Sequence, residues 1–201
     1  MNTSFIQAAK LLKMLSKADI LETIEKMEIL TAKNEERYQP LPKLILDAIV
    51  VAEDKRFWRH AGFDPRAISR AAINYTYFQE ISGASTIEQQ LVRTIRKRYE
   101  RKLSRKIGEI IHAYFVQKQF KKLQILETYL HLAYFGWHAN GIHEAAQRMD
   151  INLGKITRVE AATFAAMLKY PMPKVPSETY TQRLKSRTSY ILGKLDDSGR
   201  I

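Results

Sequence analysis

A mainly α-helical fold is what this sequence predicts, and three observations carry the prediction. Apolar residues recur at helical spacing in successive segments, helix-start signals precede several of them, and no segment alternates apolar with polar residues over a useful length. The chain has no internal repeats and no low-complexity tract, and its 201 residues, 45% of them hydrophobic, suffice for one substantial core.

The elements follow in order. Residues 3 to 17, TSFIQAAKLLKMLSK, set Phe5, Ala9 and Leu12 on one helical stripe and Lys10, Lys13 and Lys17 on another. That pattern suits a packing helix with a solvated lysine face and a membrane-surface helix equally well. The segment TAKNEERYQPLP, residues 31 to 42, reads as a connector, with Pro42 suited to a first helical turn. The helix that begins there runs into AEDKRFWRHAGFD, where Glu53, Asp54, His60 and Asp64 stand among cations and three aromatics that seek burial, Phe57, Trp58 and Phe63. The segment reads either as a solvated turn or as a proton-transfer site, in which an apolar wall tunes a carboxylate. Asp64 as N-cap and Pro65 as first helical residue open the next helix, with Ile68, Ala71, Ala72 and Tyr75 on one face. Ser85 with Glu88, and Thr157 with Glu160, have capping-box spacing at two further helix starts.

Charge narrows the partners. Lys and Arg number 33 against 21 Asp and Glu, a net +12, which points to a polyanion: nucleic acid, anionic lipid or pyrophosphate. With no cysteine, disulfides and thiolate metal sites are excluded. No run of apolar residues is long enough to span a membrane and no export signal is visible. From Arg93 to Lys106 a basic helix carries eight cations and one acid, Glu100. It reads as a solvated face or as a nucleic-acid surface. Glu109 follows at i+4 from Arg105 and i+3 from Lys106, either as an ordinary salt bridge or as a carboxylate held ionised for positioning. Leu103, Ile107, Ile110 and Tyr114 supply that helix with a stripe to bury.

Five segments, in order between about Leu41 and Pro173, together resemble the peptidoglycan glycosyltransferases, the transglycosylase domain of penicillin-binding proteins and of their monofunctional relatives. EDKRFWRHAG matches that family through Glu53, Asp54, Phe57, His60 and Gly62. GASTIEQQL matches through Gly83, Ser85, Thr86, Ile87, Gln89, Gln90 and Leu91, and RKIGE through Arg105, Lys106 and Glu109. ILETYLHLAYFG and VEAATFAAMLKYP resemble the two later motifs.

The resemblance implies a lysozyme-like large lobe with a small membrane-facing jaw lobe, the jaw at about residues 65–90, in a glycosyltransferase domain spanning 41–201 behind an N-terminal extension, 1–40. It implies an inverting enzyme that joins lipid II into β-1,4 glycan and releases undecaprenyl pyrophosphate. Glu53 would be the general base and Glu109 the second catalytic glutamate. Asp54, Phe57, His60, Ser85, Thr86, Gln89, Gln90, Arg93, Arg101, Arg105 and Lys106 would bind substrate. No cofactor is required and no metal ligand is assigned, while a divalent cation, Mg or Mn, is admissible at the pyrophosphate. Lipid II, the growing glycan, the membrane surface and other cell-wall synthesis proteins are the implied partners, and nucleic acid is not. The implied location is peripheral, on the extracytoplasmic face of the cell membrane. A lysozyme-type hydrolase and a non-catalytic lipid- or glycan-binding relative are the competing readings.

Three departures from the family pattern stand out. Glu88 replaces the usual Thr, and its charge is unfavourable near a pyrophosphate unless it caps the helix and points away. His131 replaces the usual Asn, and Trp137 with His138 stand where small residues are favoured.

Overall fold

The computed structural model describes residues 16–78, 83–100 and 102–198. Among the described residues the protein is mainly α, as the periodicity predicts. Helices α1 to α9 run over Lys17–Arg37, Lys43–Glu53, Pro65–Phe78, Ile87–Arg96, Leu103–Gln119, Lys122–Leu132, Ile142–Arg148, Arg158–Lys169 and Glu178–Ser198. Single 3-10 turns occupy Phe57–Arg59 and Leu153–Lys155, and strands β1 (Tyr134–Gly136) and β2 (Ala139–Asn140) form one antiparallel hairpin. The chain divides into two compact units. One comprises the residues up to Glu36 together with Arg56–Ile125, and the other comprises Arg37–Lys55 with Leu126 onward.

In the first unit, α1 corrects the connector expected over residues 31 to 42. Thr23, Ile24, Met27 and Thr31 are buried at helical spacing, so the helix continues to Arg37 and only residues 38–42 connect. Ser16 starts it, accepting from the Asp19 amide at 3.2 Å. The amphipathic segment 3–17 lies outside the described residues apart from its last two. Asp64 opens α3 as expected, its carboxylate accepting from the Arg66 amide at 3.0 Å. Among the described residues, however, α3 buries no side chain. Ile68 and Ile73 are exposed, and the side chains of Ala72 and Tyr75 lie outside the description.

Helix α4 packs against α5 and buries Ile87, Leu91, Val92 and Ile95. The buried face of α5 is Glu109, His112, Ala113 and Val116, whereas Ile107 is exposed and Ile110 and Tyr114 are half-buried. The stripe expected from Ile107, Ile110 and Tyr114 is therefore offset by about half a turn: the surface α5 turns inward includes a carboxylate and an imidazole. Gly62 fits against this helix in a left-handed conformation, φ +84°, and a Cβ there would lie 2.5 Å from the Ala113 carbonyl oxygen.

The second unit is built on α2, α8 and α9, which pack on one another. Helix α2 buries Ile45, Leu46, Ala48, Ile49 and Val50, and α8 answers with Ala161, Ala162, Phe164, Ala165, Ala166 and Met167, small residues that permit close approach. Thr157 and Glu160 close the expected capping box at the start of α8. The hairpin packs on α7 and α8, with Phe135 edge-on to Phe164 at 6.0 Å. Its position is fixed by the chain after α8, since Met172 donates to Phe135 and accepts from the Trp137 amide, both at 2.8 Å.

Candidate functional site

Within the first unit, the entry to α4 is tied to α5 through one lysine. Thr86 is the N-cap of α4: its hydroxyl accepts from the Gln89 amide at 3.3 Å and donates to the Gly62 carbonyl at 2.8 Å. Lys106, from the first turns of α5, donates to Ser85 Oγ at 2.7 Å and Gln89 Oε1 at 2.6 Å. One turn beyond Gln89, Arg93 makes a two-pronged contact with Glu109, Nε to Oε1 at 2.8 Å and Nη2 to Oε2 at 3.1 Å. Arg105 donates to the same carboxylate, and the Lys106 ammonium lies 3.9 Å from it. The i+3 and i+4 spacing thus delivers the contacts it predicts.

Three cations meet one carboxylate that is 3% exposed, so the cluster carries a net charge of 3 − 1 = +2. Burial, the largest influence, pushes the Lys106 ammonium down to about 8; Glu109 opposes this, and Arg93 and Arg105 reinforce it. Such a constellation offers ordered positive charge to an oxyanion.

The basic run is not one helix. Lys97 takes a left-handed conformation, φ +50°, and ends α4, so the run covers the last turn of α4, a connection and the first turn of α5. Its cations accordingly diverge. Arg96 turns inward to Asp19 at 2.5 Å, and Thr23 at 3.1 Å and His112 complete that buried network. Arg101 lies outside the described residues. Gln90, half-buried on α4, accepts from the Thr94 hydroxyl at 3.0 Å through its carbonyl.

Phe57 and His60 belong to the same unit. Phe57 is fully buried, while Trp58, expected to share that burial, is 51% exposed and packs edge-on to it at 4.9 Å. A 3-10 turn sends consecutive side chains in different directions, so only one of the two aromatics faces inward. Glu88 does not cap α4, because the cap is Thr86 and not Ser85. It is fully buried, pairs with Lys122, and lies 3.9 Å from His60 Nδ1. Lys122 also lies over the Phe57 ring at 4.3 Å. The charge that departs from the family pattern is thus neutralised by a lysine 34 positions later, which local spacing gives no means of anticipating.

Glu53 and Asp54 belong to the second unit. Glu53 is the last residue of α2, half-buried, and Asp54 is its buried C-cap, donating its amide to Val50 at 2.9 Å. Arg187 of α9 donates to the neighbouring Ala52 carbonyl at 3.0 Å, satisfying one of the acceptors a helix end leaves open. His131 stacks on Tyr38 at 4.9 Å and on His143 at 5.0 Å. Burial, and then His143, hold its imidazole down at about 4.

The chain is 37% identical to penicillin-binding protein 1A of Rickettsia typhi over 166 residues, 80% of this chain and 21% of that protein. It is 37% identical to penicillin-binding protein 1A of Neisseria flavescens over 162 residues and to that of Aquifex aeolicus over 163, again 80% of this chain and 20% and 22% of theirs. The chain therefore spans about a fifth of the length of the curated relatives it matches. No helix among the described residues is long and apolar enough to cross a membrane. The family model described as Transglycosylase matches residues 22–196, and with five motifs in order and the Glu109 cluster assembled, this chain belongs to the transglycosylase family.

Proposed function

We propose that the protein is a peptidoglycan glycosyltransferase that polymerises lipid II into β-1,4 glycan strands. The observation that carries this reading is the convergence of Arg93, Arg105 and Lys106 on Glu109, with Lys106 anchored to Ser85 and Gln89. A reaction whose leaving group is a pyrophosphate needs positive charge where two phosphates gain charge, and cations already ordered supply it without reorganisation at the moment of reaction. A glycan hydrolase has no such anion to stabilise.

In the proposed reaction the acceptor's 4-hydroxyl attacks the donor's anomeric carbon with inversion. Glu53 takes the hydroxyl proton as the new C–O bond forms, and the bond to undecaprenyl pyrophosphate breaks with its electron pair leaving on the phosphate oxygen. Glu109 orders the cations. The cluster's one carboxylate is engaged by three of them, so it offers a poor cradle for a resident metal; an Mg or Mn ion, if used, would be held by the pyrophosphate oxygens. The two departures that favour a non-catalytic relative are accommodated within the fold, Glu88 by Lys122 and His131 by its ring stack.

The same reading gives the chain a lysozyme-like large lobe and a jaw at about residues 65–90 that meets the membrane. Support for the jaw comes from α3, whose Ile68 and Ile73 stand exposed on a helix with no buried described side chain. The enzyme would work peripherally at the extracytoplasmic face, where lipid II presents its sugars. Incubation with labelled lipid II and separation of products by size tests the assignment: glycan ladders from the wild type and none from folded Glu53→Gln are expected. Wild-type turnover by that variant would overturn the role of Glu53, and sugar release from preformed glycan would favour the hydrolase.

A further inference from the structure

Trp137 stands at the tip of the β1–β2 hairpin, in a two-residue turn with His138. Such turns favour Asn and Gly, because their central residues take positive φ; His138 adopts φ +51° without being either. Turn chemistry therefore does not explain this pair, nor does packing, since the indole remains 41% exposed. It is nonetheless held firmly. Its amide donates to Met172 at 2.8 Å, His138 lies edge-on at 3.9 Å, and Arg148 and Lys174 lie over the ring, 5.1 and 5.3 Å from its centre. Gly136, next to it, approaches the Met172 backbone so closely that a Cβ would lie 2.3 Å from its carbonyl oxygen, which locks the hairpin against that segment.

Beside this indole is a cleft of about 650 Å³ lined by Trp137, His138, Glu144, Gln147 and Arg148. That size suits a ligand of one or a few rings. Its lining sets an aromatic face next to one acid, one base, an amide and an imidazole. A purely anionic ligand would meet Glu144, and a purely apolar one would desolvate Arg148 and Gln147 without return. A pyranose suits all of them: its C–H groups pack against the exposed part of the indole, beside the two cations over the ring, and its hydroxyl and acetamido groups donate to a carboxylate and accept from a guanidinium.

We infer that the Trp137 cleft, whose lining shares no residue with the Glu109 cluster, is a saccharide-binding subsite that holds a sugar unit of the glycan. The identity of the glycan as the enzyme's own substrate or product rests on the proposed reaction; the capacity to bind a hexosamine oligomer does not. Occupied during synthesis, such a subsite would retain the strand between additions, so its loss shortens products without slowing the first coupling.

The test uses the full chain with Trp58→Phe, which leaves Trp137 as the only indole. Soluble β-1,4-linked N-acetylglucosamine oligomers are titrated while its emission is followed, and calorimetry is run in parallel. A saturable emission shift is expected, unchanged when Glu53→Gln is added, together with at least tenfold weaker calorimetric affinity in Trp137→Ala. Gln147→Ala, an exposed change away from the turn, is expected to weaken binding several-fold with an unaltered circular dichroism spectrum. No response to the oligomers, or affinity equal in Trp137→Ala, overturns the inference. An emission shift with phosphatidylglycerol vesicles but none with oligomers also overturns it and makes the indole a membrane contact. Loss of polymerisation with oligomer binding intact would sink the proposed reaction and leave the subsite standing, whereas polymerisation without oligomer binding would sink the subsite alone.

Discussion

Lys106 gives the proposed site a signature in pH. Its ammonium, held at about 8, titrates well below the ordinary lysine range, and it must be charged to attract a phosphate while donating to Ser85 and Gln89. With that value, about nine-tenths of the free enzyme is protonated there at pH 7 and about one-tenth at pH 9. The expected result is a roughly tenfold fall in kcat/KM between these pH values, because that parameter reports the free enzyme. A bound pyrophosphate favours the ammonium, so the limb seen in kcat should lie at higher pH. Lys106→Arg keeps the charge at all accessible pH and should flatten the kcat/KM limb, at some cost in rate because a guanidinium does not reproduce the ammonium's contacts. The sign for stability is opposite to that for activity. Folding disfavours the protonated form, so this group's contribution to stability is least below about 8 and increases as pH rises toward the ordinary lysine range. Initial rates with lipid II from pH 6.5 to 9.5 on both proteins decide the matter. A basic limb that persists unchanged in Lys106→Arg, or a wild type flat to pH 9, would refute the reasoning.

Further outcomes follow from the packing. Gly62→Ala places a methyl 2.5 Å from the Ala113 carbonyl oxygen at φ +84°, and should cost about 2–4 kcal/mol in chemical denaturation; a loss under 0.5 kcal/mol would mean the loop moves freely off α5. Glu88→Thr, which restores the family's residue, strands the largely buried Lys122 and should cost about 3 kcal/mol, and adding Lys122→Met should recover most of it. Equal stability of the single variant and the wild type would show that the pair has no net worth. Ile73→Asn should weaken flotation with anionic vesicles at least severalfold if α3 meets the bilayer, and unchanged flotation would remove it from that surface.

What was legible in the sequence was local. Asp64 before Pro65, Thr157 with Glu160, and Glu109 one turn from Arg105 and Lys106 all encode their contacts within a few residues, and all are found. What escaped depends on partners far along the chain. Glu88 looked like an intruding charge because Lys122 is remote, and Arg96 read only as one of eight cations in a basic run because Asp19 and His112 are remote. Trp58 looked buried because hydrophobicity says nothing about which side of a 3-10 turn a residue occupies. The hairpin went unread for a different reason: its strands are too short to alternate, and its turn carries Trp137 and His138 in place of the expected glycine or asparagine.

Glu109 presents the sharpest division between holding and attracting. Arg93, Arg105 and Lys106 repel one another, and the carboxylate between them is what allows all three to stand within contact of one point. Glu109→Gln keeps the shape but removes the one carboxylate charge, and because Glu109 is what opposes the downward push on Lys106, that lysine titrates lower still and the cluster gains less than a full positive charge near neutrality. Long-range attraction for an anion should then increase while the order of the donors is lost. Affinity for inorganic pyrophosphate, measured by calorimetry at low and high salt, is expected to hold or rise with a steeper salt dependence. Turnover of lipid II is expected to fall by about 10²-fold, since the donors no longer meet the developing charge where it forms. In the double variant with Glu53→Gln the loss should be no greater than that of the worse single, because both act on the same step. A parallel fall in pyrophosphate affinity and kcat would mean that Glu109 holds the fold of the site and nothing more. Full activity would mean that the arginines need no carboxylate to be in place.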